Sequence, residues 1–161
     1  MTFHMRRKDK EITDVEVLKR ILKSAKYVTV AMSKENQPYL VSLSYGYDET
    51  SNCLYFHCAG EGKKLDYLKA NNTVWGQALS DYGYVQGECD HHYASVHFKG
   101  KVTFLTEPNE KIHAAQTMMR QLDKNPEQLI AKLNVEKLKN TQIGRIDIET
   151  MTGKKSKELT I

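Results

Sequence analysis

His57 and the run Gly60-Glu61-Gly62-Lys63-Lys64 that follows it hold the densest chemistry in this 161-residue chain. The backbone amides at a helix start carry partial positive charge and attract anions, so two lysines there oppose the backbone unless an anion joins them. Glycines let the backbone approach such a ligand closely, and lysines add compact point charges. The run is not a Walker A loop, because the spacing Gly-x-x-x-x-Gly-Lys-Ser/Thr is absent. A solvated basic turn has the same composition, so both readings stand at this point. His57 precedes Lys63 by six positions, near the end of a β-pattern. Histidine at that place suits proton transfer near neutral pH, or is a hydrogen-bonded strand residue.

Other clusters carry less. Glu88, Cys89, Asp90, His91 and His92 are all capable metal ligands, but adjacent residues rarely converge on one ion. No second His/Cys pair completes a tetrahedral set, so no metal site is expected. Trp75 and Tyr93 can stack on a planar ring or serve as core. Tyr45, Tyr47, Tyr82 and Tyr84 gather around turns, where they can line a pocket or a contact between copies.

The elements that position these residues follow from periodicity. "TDVEVLKRILKSAK" predicts a helix with a capping box between Thr13 and Glu16. "YVTVAM" and "PYLVSLSYGY", Pro38 to Tyr47, predict a hairpin around "SKENQ". "CLYFHCA" alternates, with Leu54, Phe56 and Cys58 on one face and Tyr55, His57 and Ala59 on the other. A short helix "KKLDYLKAN", a strand "NTVWGQALS" and a loop "DYGYVQGECDHH" come next. The longest strand spans Tyr93 to Leu105, with Gly100 allowing a bend. Two helices follow. One has Pro108 in its first turn and an apolar face of Ile112, Ala115, Met119 and Leu122. The other is capped by Asn125 with Gln128. A strand "TQIGRIDIET" and a polar tail over about 151–161 end the chain. Six strands joined mostly by short turns predict a mainly β fold, an antiparallel sheet closing into a small barrel with helices outside. One domain over 1–161 is expected.

The bulk properties exclude some classes. Net charge is +4, with basic and acidic residues intermixed, which argues against a nucleic-acid groove. Apolar runs are too short for a membrane helix. Three unpatterned cysteines and an N-terminal stretch without an apolar core predict a reducing, cytoplasmic setting.

Longer stretches then carry a resemblance. "QPYLVSLSYGYDETSNCLYFHCAGEGKKLDYLKANNTVWGQAL", "YASVHFKGKV", "EPNEKIHAAQTMM" and "IDIETMTGKK" resemble the pyridoxamine 5'-phosphate oxidase-like, FMN-binding split-barrel family, closest to its 5-nitroimidazole resistance branch. Many members have Gly-Arg-Lys where this chain has Gly62-Lys63-Lys64, so the charge is kept but the bidentate arginine fork is not. The resemblance implies a six-stranded split barrel and a homodimer with flavin at its interface, FMN or sometimes FAD. It implies that Val41, Ser42 and Leu43 lie along the flavin and that Gly62, Lys63 and Lys64 take its phosphate, beside His57, Cys58 and Ala59. The resemblance further implies Trp75, Gln77, Tyr93 and Ser95 as cofactor contacts and a role for His57 at the substrate. The implied activity is reduction of small electrophiles such as nitroaromatics. A flavin carrier or redox sensor without turnover, and a barrel holding haem or a deazaflavin, are the alternatives.

Overall fold

The computed structural model describes residues 5–161. A short turn over Lys8–Lys10 leads into β1 (Glu11–Ile12), α1 (Val15–Ser24), β2 (Tyr27–Lys34), β3 (Gln37–Ser44), β4 (Gly46–Asp48), β5 (Cys53–Cys58) and α2 (Lys63–Ala70). Then come β6 (Thr73–Val85), β7 (Asp90–Phe104), α3 (Pro108–Leu122), α4 (Pro126–Ile130), α5 (Val135–Leu138) and β8 (Gln142–Lys155). The strands form one sheet in the order β3-β2-β6-β7-β8-β5-β4, with β1 also on β8. Every ladder is antiparallel.

The two end strands, β3 and β4, are consecutive in the chain, with only Tyr45 between them. A sheet whose opposite edges are one residue apart must curl until they meet. No ladder joins β3 to β4 among the described residues, so the cylinder is split along that seam. Tyr45 is fully buried at the joint, and its hydroxyl donates to the Leu22 carbonyl at 2.5 Å. That bond ties the seam to the end of α1.

The barrel interior follows from alternation. β2 sends Val28, Val30 and Met32 inward, and β7 sends Val96, Phe98 and Val102 inward. Each fully buried apolar side chain of this size stabilises by roughly 1.5–3 kcal/mol. Two aromatic rings lie across glycines on the neighbouring strand: Phe98 over Gly76 and Phe56 over Gly144, each pair in direct register. α1 adds Leu18, Ile21 and Leu22 to the core. Leu18 rests on Gly153 of β8, where a Cβ would come 2.2 Å from its Cδ2. On the outer side of β5, Cys53 and Tyr55 pack with Ile143 and with Ala114 and Met118 of α3. Gly46 admits this helix, since a Cβ there would lie 2.6 Å from the Met118 amide nitrogen.

The expected mainly β split barrel is present, but the sheet has eight strands rather than six. The stretch Pro38 to Tyr47 divides at Tyr45, because crossing the seam ends one ladder and begins another. β1 adds a two-residue strand that packing against β8 supports. The loop expected from Asp81 to His92 is mostly strand: β6 continues through an irregularity between Asp81 and Tyr84, and β7 starts at Asp90. Gly83 at φ 98° marks the irregularity, and its N–H donates to Asp81 at 2.8 Å. Gly100 sits where the β7–β8 register shifts by one residue. β8 runs to Lys155, and Ser156 is buried.

Helix ends also differ. Asp14, not Thr13, caps α1, accepting from the Glu16 amide at 2.9 Å, while the Glu16 side chain pairs with Lys19. Asn125 makes no side-chain cap, whereas Asn134 caps α5 through the Lys137 amide at 3.0 Å. α3 buries Ala114, Ala115 and Met118, so its inner stripe is rotated from the expected Ile112–Ala115–Met119–Leu122 face. The backbone contact at Gly46 sets that rotation.

Candidate functional site

α2 starts where it does because Gly62 adopts φ 127°, ψ 170°, a conformation that L side chains rarely take. The first helical bond runs from the Asp66 amide to the Gly62 carbonyl at 3.2 Å. No side chain caps the helix start. Its first amides are the groups that water, a cap or a ligand must satisfy. A Cβ placed at Gly60 or Gly62 meets nothing within 4 Å, so the space in front of these amides is open.

Neither Lys63 nor Lys64 belongs to an ion pair among the described residues. The Lys63 ammonium stands 4.5 Å from the ring centre of Tyr39 and 5.6 Å from that of Tyr67. The Lys64 ammonium stands 5.6 Å from the ring centre of Phe56. Two unneutralised cations at an uncapped, open helix start are the side chains here that could hold an anion. Cys58 is half-buried beside it. Burial pushes its thiol pKa up, with the Lys64 charge working against that, so it is a poor thiolate. Ala59 is exposed.

β3 is an edge strand, so part of its backbone N–H and C=O row faces away from β2. Leu43 is buried and Val41 packs against the core, so both offer only backbone to the outside. Ser42 is exposed on the outer face. Register places a polar row across five strands there: Ser42, Thr29, Gln77, His97 and Thr152. Gln77 and His97 are hydrogen-bonded at 3.0 Å, and Thr29 and Ser42 approach to 3.4 Å. Burial, with Lys154 nearby, lowers the His97 pKa and favours the neutral ring. The next row along carries Leu40, Ala31 and Trp75, with Leu40 62% and Trp75 54% exposed. Tyr93 and Ser95 lie on this same face of β7. The Ser95 hydroxyl is buried and donates to the Lys154 carbonyl at 3.4 Å.

His57 lies elsewhere. Alternation in β5 turns it away from Phe56 and Cys58, so it is on the opposite face from the Lys64 contact. It opens on a cleft of about 310 Å³ under α3, walled by Met118, Met119, Leu122, Leu129 and Leu138. The cleft is apolar apart from His57, Asp123 and Thr141.

The structure therefore gathers Gly62, Lys63 and Lys64 at one helix start, and Ser42, Trp75, Gln77, Tyr93 and Ser95 on one sheet face. It sets His57 at a separate apolar cleft. Sequence reasoning missed His97, whose alternation with Tyr93 and Ser95 was legible but whose contact with Gln77 depends on a register spanning 20 residues. It also missed Tyr39 and Tyr67. Among the described residues no three or more His, Cys, Asp or Glu side chains are placed so that they could hold a metal ion together, and no helix there is long and apolar enough to cross a membrane.

Comparison with known proteins gives the following. A candidate 5-nitroimidazole antibiotic resistance protein from Bacteroides thetaiotaomicron is 27% identical, superposes at a TM-score of 0.77, and is matched over 89% of this chain and 85% of its own. An FAD-binding protein from Mesorhizobium loti is 22% identical at a TM-score of 0.65, over 89% of this chain and 95% of its own. An FAD- and haem-binding protein from Mycobacterium smegmatis is 16% identical at a TM-score of 0.74, over 94% and 76%. The last two show the fold alone. No curated protein matches the chain. The model of the pyridoxamine 5'-phosphate oxidase family matches residues 14–155, nearly the whole chain, and the chain belongs to that family.

Proposed function

We propose that this chain is a flavin-binding oxidoreductase that reduces small electrophiles, nitroaromatics of the 5-nitroimidazole type among them. The observation that carries the flavin reading is the open helix start at Gly62 with two cations that no carboxylate neutralises. A phosphate fits it: amides point outward, glycines leave room and lysines supply charge. FMN is the cofactor this suits, with FAD also compatible with the open space in front of Gly60. The family, the resistance-protein likeness and the FAD-binding neighbours support the same reading.

A bound flavin supplies the electron transfer. The chain's own residues bind and orient. Lys63, Lys64 and the first amides of α2 hold the phosphate. The free backbone edge of β3 at Val41 to Leu43, with Ser42, lies along the ring system. Trp75 and Gln77, with Tyr93 on the same face, complete the wall, while Ser95 is buried against the Lys154 carbonyl of β8 and offers no surface to it. A second copy of the chain covers the outer face around Leu40 and Trp75, which accounts for apolar surface left open in one chain. His57 faces the apolar α3 cleft on the opposite side of β5 from the Lys64 contact, so it does not act at a substrate stacked on a flavin held at this site of the same chain.

The purified protein tests this directly. A two-band flavin spectrum is expected, whereas a Soret band points to haem and overturns the reading. Replacing both Lys63 and Lys64 with Ala should lower retained flavin several-fold, and a double variant that purifies as yellow as the wild type refutes the phosphate assignment. Anaerobic mixing of reduced protein with nitroimidazoles separates an enzyme from a carrier. Reoxidation no faster than for free flavin excludes turnover. Size exclusion with light scattering should give the mass of two chains, and Trp75→Glu should shift it toward one.

A further inference from the structure

We propose that Tyr39 and Tyr67 are positioning residues that hold Lys63 ready for a phosphate monoester. This rests on the reading that Lys63 meets the flavin phosphate, and it adds how a lysine does so in place of an arginine. Lys63 is the first residue of α2, where the helix field repels its charge. Its four-carbon stem is flexible, so a free lysine loses rotamer freedom when it binds. Here the ammonium is already placed by two ring faces, at 4.5 Å from Tyr39 and 5.6 Å from Tyr67. The rings lean together, with centres 5.2 Å apart and planes at 54°.

Both rings are themselves held. Tyr39 on β3 and Tyr67 on α2 are partly buried and pack against the barrel core. The clamp therefore joins the edge strand to the helix start, and it fixes the charge relative to both parts of the proposed site. Ring faces attract a cation without neutralising it, whereas a carboxylate partner would cancel the charge that an anion needs. Binding then carries less ordering cost than it would for a loose lysine.

The experiment measures Kd for FMN and for riboflavin, which differ by the phosphate, in the wild type and in Lys63→Ala, Tyr39→Leu, Tyr67→Leu and Tyr39→Phe. The ratio of riboflavin to FMN Kd isolates the phosphate contribution, and a merely structural lesion weakens both ligands and leaves the ratio alone. Tyr39→Leu and Tyr67→Leu should each lower the ratio by about 3- to 30-fold, the range a cation over a ring supports. Tyr39→Phe keeps the ring and should keep the wild-type ratio. In the Lys63→Ala background Tyr39→Leu should lower it no further. If Lys63→Ala lowers the ratio and the leucine variants do not, the clamp is wrong and the phosphate reading stands. If Tyr39→Phe falls as far as Tyr39→Leu, a hydroxyl contact replaces the clamp. If Lys63→Ala leaves the ratio unchanged, the phosphate reading fails and the clamp fails with it. Should Tyr39→Leu not fold, Tyr67→Leu applies the same test from the helix side.

Discussion

Gly76→Ala sets two effects of opposite sign against each other. Gly76 lies in β6, directly opposite Phe98 of β7, and its φ is not in the left-handed region. Replacing glycine by alanine at a compatible backbone normally stabilises by about 0.4–1 kcal/mol, through a less disordered unfolded chain. Against that, a Cβ here would stand 2.1 Å from Cζ of Phe98 and 2.6 Å from both Cε atoms. Phe98 is fully buried, so its ring has no solvent to move into. Restoring ordinary contact needs more than an ångström of displacement. Overpacking of this kind costs roughly 1–3 kcal/mol, and an off-rotamer ring adds about 0.5–1.5 kcal/mol. The clash wins by about 1–3 kcal/mol, which lowers Tm by roughly 3–10 °C for a chain of this size. Thermal unfolding followed by circular dichroism reads this. In the Phe98→Leu background the same Gly76→Ala change should cost much less, since the ring it strikes is gone. Equal costs in the two backgrounds, or a rise in Tm for the single variant, would refute the argument.

Gln121 offers a second stability test. It accepts from the Tyr47 amide at 2.7 Å and donates to the Leu22 and Ala25 carbonyls at 3.1 and 2.9 Å, so one α3 side chain ties β4 to the end of α1. Gln121→Met keeps the length, removes three hydrogen bonds and should cost about 2–4 kcal/mol, measured by urea unfolding. Asp48 provides a pH test. Burial pushes its carboxyl up, but hydrogen bonds from His113 at 2.9 Å and from the Ser51 amide outweigh this and leave its pKa below the usual value. A depressed carboxylate pKa stabilises the fold above the unfolded value of about 3.9, and that contribution is lost as pH falls below it. Asp48→Asn should therefore lower Tm at pH 6, and the gap to the wild type should close on acidification below about pH 4. A gap that persists unchanged at low pH would show that packing, not ionisation, is responsible.

Local patterns made much of this fold legible. Alternation in "CLYFHCA" correctly put Phe56 and Cys58 on one face and His57 on the other, and Pro108 marked the start of α3. The split of Pro38–Tyr47 into two strands was not legible, because it depends on which distant strands lie beside each half. The stripe of α3 was misjudged because Gly46, more than 60 residues upstream, sets its rotation. At the candidate site, Gly62, Lys63 and Lys64 stood out through a local conflict between cations and a helix start. Tyr39 and Tyr67 did not, because a ring over an ammonium leaves no trace in spacing. His57 and Lys63 are six residues apart in sequence, yet strand alternation sends the histidine toward α3.

The place of β8 has a consequence for how the protein is made. It lies between β7 and β5 and also carries β1, so β1 has no partner, and β7 and β5 each only one, until it arrives. β5 pairs with residues roughly 90 positions later. Closing so long a loop is entropically costly and slow. On the ribosome, β7 and β5 each have an open edge until Gln142–Lys155 has emerged. Barrel closure is thus a late, largely concerted event, and the interval before it is when these edges are most exposed to pairing with other chains.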